Sequence, residues 1–328
     1  MSTQQVAEDR DRQADSIPVK SYLYMRLAIV ALLVALGVSV AFQTASQGWR
    51  PLASVSAYYY TAAQAIFVGA LLGFAAIMIA LKGTTGIEDV FLNLGGMFAA
   101  VVATVPTSRG ADFEAAVAAC RQNGTLLTER SSGTADCPKT EALAEAAGAN
   151  VANNMWTLIV VGFLAFAIML IVAWRRRQPF SWMAFGGGAV VLAAGFLAFW
   201  IAPEWFSHNA HWIAAVGLFG CIFVVALANA RRREGKTMTI ATNKGRTVAE
   251  KVDGAARVPV QRTDHRNLYN WIALLMLGVG VVVVLAWAQN WITLFWLEII
   301  VFLLFIALWL TQTIEQGNRM PGAELDTR

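Results

Sequence analysis

Charge is scarce in this sequence. Asp, Glu, Lys and Arg make up 14% of the 328 residues, against about a quarter in a soluble globular domain. With 57% hydrophobic residues, the chain has too little polar surface to cover the two soluble domains that its length would otherwise suggest. Short segments of alternating apolar and polar residues are missing as well, which excludes a transmembrane β-barrel. So are phosphate-cradling glycine loops, dinucleotide fingerprints, nucleophile elbows and haem-attachment motifs. Histidine and cysteine occur three times each, so a metal site has few ligands to draw on. The net charge of +4 is small and its basic residues cluster in particular segments, so nucleic acid is not an expected partner.

What the chain has instead is long apolar runs, at a mean hydropathy of +0.55. Runs of about 20 residues recur, each long enough to cross some 30 Å of hydrocarbon as a helix. They lie at 22–44, 60–82, 87–106, 154–174, 180–202, 209–230, 268–288 and 291–313. The expected fold is all-α, a polytopic transmembrane helix bundle of about eight spans. Residues 1–21 form an N-terminal tail, 22–314 the bundle and 315–328 a C-terminal tail. The first apolar run is too long for a signal peptide and lacks a small-residue cleavage site. Gln289 and Asn290 divide the last two runs with a tight turn, because one helix of about 45 residues would be some 68 Å long, far beyond the bilayer.

Lys and Arg set the orientation. With the N-terminus in the cytoplasm, 20 of the 25 basic residues fall inside, Arg26, Arg175 to Arg177 and ten across 231–266 among them. Arg50, Arg109, Arg121, Arg130 and Lys139 stay outside. An even number of spans returns the C-terminus to the cytoplasm, and the expected location is the bacterial plasma (inner) membrane, multi-pass. Cys120 and Cys137 then share the longest external loop, 107–153, where an oxidising compartment allows a disulfide. Such a bridge would stabilise that loop by roughly 3 kcal/mol. Cys221, inside the sixth run, reads as a small apolar filler. Within the loop, 112–119 and 140–147 read as short helices, the second with Thr140 as N-cap. The cytoplasmic loop 231–266 reads as a topology determinant in contact with anionic lipid. Gly69, Gly73 and Gly186 to Gly188 offer close helix packing.

Ionisable groups inside spans are costly and are functional candidates for that reason. Glu298 is the clearest, about seven residues and so roughly 10 Å into the last span. His208 and His211 open the sixth span, three apart and facing roughly the same way. Ser54, Ser56, Tyr58, Tyr59, Tyr60 and Thr61 lead into the second span, and Pro106, Thr107 and Arg109 close the third. All of these fall in the outer third of the membrane, as one polar pocket beneath the external loop. The tyrosines have a second reading as an interfacial belt, which 12 Trp residues, such as Trp205, Trp212 and Trp296, would share. On the inner side, Glu88 and Asp89 sit in the first turn of the third span, where they compensate the helix dipole. The sharper alternative, with Asn93 on the same face, is a cation or proton site.

The stretch Ser54-Val-Ser-Ala-Tyr-Tyr-Tyr-Thr61, with Phe67-Val-Gly-Ala, Asn93-Leu-Gly-Gly-Met, Val105-Pro-Thr107, His211-Trp-Ile-Ala-Ala and Trp296-Leu-Glu298, resembles a group of bacterial polytopic membrane proteins that has no assigned activity. The resemblance covers most of the spans and implies architecture alone. The cysteine-bearing external loop and the basic cytoplasmic loop depart from it as insertions. A remoter similarity links the chain to the superfamily of progestin and adipoQ receptors and alkaline ceramidases, whose zinc hydrolases use three histidines and an acid. Here His208 and His211 are too closely spaced for that pattern, and His265 falls on the other side of the membrane, so the zinc site cannot assemble within one chain. The resulting expectation is a non-enzymatic membrane protein with membrane lipids as partners and an outer-leaflet pocket for a lipid or small ligand. The alternatives are a transporter, which would need midplane polar groups and internal repeats that are not visible, and a membrane-embedded hydrolase using Glu298 and His211. Cofactor and oligomeric state are not legible in the sequence.

Overall fold

A computed structural model of the chain describes residues 3–83, 85–107, 118, 137–176, 182–235, 265–289 and 294–317. Among these residues there is helix and no strand. The helices are α1 (Thr3–Ser46), α2 (Gln64–Ala80), α3 (Gly86–Thr104), α4 (Cys137–Arg176), α5 (Trp182–Ile201), α6 (Pro203–Gly235), α7 (His265–Gln289) and α8 (Leu294–Gly317), with a short 3-10 helix at Ser56–Tyr60. Helix is the expected outcome for such runs, since hydrocarbon leaves no partner for a backbone group outside the segment itself. Among the described residues, six helical segments are long and apolar enough to cross a membrane: Ser21–Ser46, Gly86–Thr104, Gly148–Arg175, Trp182–Ile201, Pro203–Asn229 and Leu294–Ile314. The apolar α2 is shorter than these.

Two boundaries differ from those the sequence suggests. The helix expected at 140–147 is not separate, because α4 runs unbroken from Cys137 into the apolar segment. The second apolar run, expected from residue 60, opens on the last residue of the 3-10 helix, and α2 begins only at Gln64. The proposed helix at 112–119, except for Ala118, lies outside the described residues, as do Cys120 with its disulfide, Asn290 with its turn, and most of the loop 231–266.

At the centre, α3 packs against α2 and α6. Its seam is glycine: a Cβ on Gly96 would meet the Ala75 carbonyl oxygen at 2.7 Å, and one on Gly95 would meet Met78 at 2.7 Å and Cys221 at 3.3 Å. In lipid, association rests on such close approach, because tails are as apolar as the side chains they replace. Gly73 and Gly188 serve the same purpose against Leu32 and Phe166, whereas Gly69 and Gly186 face open space. Helix α1 lies on α2 and α8, and α7 lies on α6 and α8. The pair α4 and α5 is peripheral: 11% of each membrane segment is buried, against 44% in α3 and α6.

Candidate functional site

Helix α1 stops where Gly48 and Trp49 take positive φ angles of 69° and 61°, so that the amide of Trp49 returns to the Thr44 carbonyl at 3.0 Å. This left-handed ending turns the chain back on itself. The following segment enters the bundle and is tied on both sides. The amide of Phe295, at the start of α8, donates to the Ala53 carbonyl at 2.9 Å. Tyr58, fully buried, bonds Thr44 Oγ1 through its hydroxyl, and the Leu52 amide donates to the Tyr58 hydroxyl oxygen at 3.4 Å. Tyr60 donates to the Thr107 carbonyl at 3.1 Å. Tyr59 packs edge-on against Tyr60 and Phe67.

Three polar side chains meet beneath this segment. Val55 donates its amide to Glu298 Oε2 at 2.5 Å. The Ser56 hydroxyl lies 2.8 Å from His211 Nε2 and 3.4 Å from Glu298 Oε1. His211, buried on α6, donates from Nδ1 to the Val105 carbonyl at 2.6 Å, because a carbonyl only accepts. Residue 105 sits just past the end of α3, where Pro106 prevents the helix from continuing. With Nδ1 carrying hydrogen, Ser56 donates to Nε2 of a neutral imidazole. An imidazolium would reverse that bond and leave the hydroxyl proton for Glu298. Glu298, Ser56 and His211 are therefore one chain along which a proton can be redistributed.

This cluster forms the polar end of a cavity of about 270 Å³. The rest of its wall is apolar, with Leu33 and Leu36 from α1, Phe67, Leu71 and Phe74 from α2, Leu218 and Phe219 from α6, and Phe302 and Phe305 from α8. From Glu298 to Phe305 is seven residues, so the cavity extends roughly 10 Å along the bundle. A small number of polar groups at one end of an apolar hollow is the usual constitution of a ligand pocket.

The other expected site residues are placed differently. Tyr58, Tyr59, Tyr60 and Thr107 hold the segment above the cavity and contribute nothing to its lining. His208 is exposed and takes no part beside His211. Glu88 and Asp89 serve the turn before α3. Thr85 Oγ1 accepts from the Glu88 amide at 3.1 Å, Asp89 accepts from the Gly83 amide at 3.0 Å, and Asn229 donates to Glu88 at 3.1 Å. Asn93, half-buried, joins none of these bonds. Among the described residues no group of three or more His, Cys, Asp or Glu could hold a metal ion. The backbone partners Val55 and Val105 escape a reading by side-chain type, although Pro106 marks where a helix leaves a carbonyl free. No family model matches this chain, and no curated protein or solved structure does so either.

Proposed function

We propose that this protein is an integral membrane protein of about eight spans, with both termini in the cytoplasm, that binds an amphiphilic ligand in its outer-leaflet half. A lipid or lipid-like small molecule would place its polar end on Glu298, Ser56 and His211 and its apolar part along α1, α2 and α8. One observation carries the reading: three polar side chains, Glu298 and His211 each hydrogen-bonded to Ser56, close one end of a cavity that is otherwise apolar. The bias of Lys and Arg supports the sidedness. Native mass spectrometry of the detergent-purified chain tests it. The expected result is one retained class of ligand, reduced in Glu298→Gln and lost when Ala215→Trp fills the cavity. An unliganded mass for the wild-type chain, unchanged on adding back lipid extract, would sink the reading.

A second reading rests on the Ser56–His211 bond. A hydroxyl 2.8 Å from an imidazole nitrogen, with the far nitrogen oriented by a carbonyl, has the nucleophile–base–orienter order of a serine hydrolase. Ser56 Oγ would attack an ester carbon while its proton passes to His211; His211 would hand that proton to the alcohol as the ester C–O bond breaks, and water would then cleave the acyl-serine to release the acid and restore Ser56. Labelling of Ser56 by a fluorophosphonate, abolished in His211→Gln, supports this reading; absence of labelling in the folded protein leaves binding alone.

A further inference from the structure

At the opposite end of the bundle, Arg26 on α1 is fully buried, 0% exposed. It lies seven residues before Leu33, so about 10 Å from the cavity wall along α1. Its Nη1 donates to Gln312 Oε1 at 2.5 Å and its Nη2 to the Tyr22 hydroxyl at 2.5 Å. Tyr22 passes its own proton to the Lys82 carbonyl at 3.3 Å. The guanidinium carbon is 4.7 Å from the ring centre of Tyr22 and 5.4 Å from that of Trp309. All of these partners are neutral. Among the described residues no carboxylate pairs with this cation.

Among the described residues, three buried nitrogens in the same place have no hydrogen-bond partner: Arg26 Nε, Trp309 Nε1 and Gln312 Nε2. Trp309 and Gln312 are three apart on α8 and so share a face, which α1 covers. Every one of the three is a donor and none can accept. The surplus is therefore of a single kind, N–H groups together with one positive charge. A buried cation without a counter-charge is costly, and so is each buried donor left unbonded. A water would satisfy donors but not the charge. What completes the set is an acceptor that is itself negative, and guanidinium and indole N–H groups are well suited to a phosphate oxygen.

We propose that Arg26, Trp309 and Gln312 form a binding site for a phosphate-type oxyanion, supplied either as a free ion or as the head group of a membrane lipid. Tyr22, half-buried and one turn nearer the end of the bundle, covers the guanidinium, and the anion enters when its ring moves aside. The site shares no residue with the cavity and stands whether or not the cavity binds a ligand.

The test uses the purified full chain, with phosphorus analysis and native mass spectrometry, followed by thermal unfolding of the delipidated protein in inorganic phosphate or chloride at equal ionic strength. The main variant is Gln312→Glu, which keeps the acceptor facing Arg26 and adds the missing negative charge from within. Phospholipid retained by the wild type but reduced to below about a tenth in Gln312→Glu assigns the site to a lipid head group. A wild type that retains no lipid, yet melts higher in phosphate than in chloride while Gln312→Glu does not, assigns it to a free anion. Trp309→Phe removes the indole N–H together with part of the ring's volume and should weaken either response severalfold. Neither response in the wild type overturns the proposal. So does a loss of stability in Glu315→Gln with no anion response, which would identify a carboxylate of the chain itself, three positions beyond Gln312, as the counter-charge.

Discussion

At one end of the bundle, Glu298, Ser56 and His211 pass hydrogen bonds from side chain to side chain and end on backbone groups, the Val55 amide and the Val105 carbonyl. At the other end, Arg26 and Gln312 share one bond and leave donors over. Both clusters lie among apolar helices, yet the first has acceptors enough for its donors and the second has not. The difference shows what each requires. The balanced cluster can sit at the head of a cavity without a ligand, whereas the unbalanced one is incomplete without a negatively charged partner. Burial is affordable for polar groups only when the donors and acceptors match.

The largest effect expected from breaking this contrast comes from His211→Ala. It leaves the Val105 carbonyl buried without its partner, leaves the Ser56 hydroxyl only its longer contact with Glu298 and opens a void, at a cost of about 3 kcal/mol. Thermal unfolding in detergent measures it. Glu298→Gln should cost less, about 1 kcal/mol, since an amide oxygen still accepts from the Val55 amide. Its stronger effect falls on ligand retention in the mass spectrum. Arg26→Met sharpens the comparison from the other side. In delipidated protein its stability should stay within about 1 kcal/mol of wild type, because the charge removed had no partner of its own, and the response to phosphate should vanish. His208→Ala should change neither melting temperature nor ligand retention, for an exposed histidine three residues from His211 shares none of its bonds. A large effect there would mean that the exposed surface around His208, not the cavity, holds the site.

Much of the architecture was legible from apolar run length. Every apolar run finds a helix, and Glu298, His211 and Ser56 stood out because polar groups in a membrane are few and costly. Their pairing did not stand out. The Ser56–His211 bond joins residues 155 apart and the Val55–Glu298 bond residues 243 apart, and half of the partners are backbone atoms that residue type does not reveal. The tyrosines misled by their abundance: a run of three at the mouth of a span reads as a pocket wall or a belt, but Tyr58 and Tyr60 hold a re-entering segment in place. Arg26 was counted with the positive charges that set topology, as an Arg one turn into a span is expected to reach back to the interface. Only the packing of α8 across α1 prevents that and encloses the guanidinium against Trp309 and Gln312.

By itself the sequence determined that the chain is helical, with runs long and apolar enough to cross a membrane, because a continuous apolar run in hydrocarbon must satisfy its backbone internally. It also determined which few residues would be expensive to bury. The tertiary structure decided how that expense is met: which donor finds which acceptor, where a cavity remains, and which cation is left without a counter-charge. Those outcomes depend on contacts between helices far apart in the chain, and in lipid such contacts are set by the close fit of small residues such as Gly95 and Gly96, not by hydrophobicity, which every span shares.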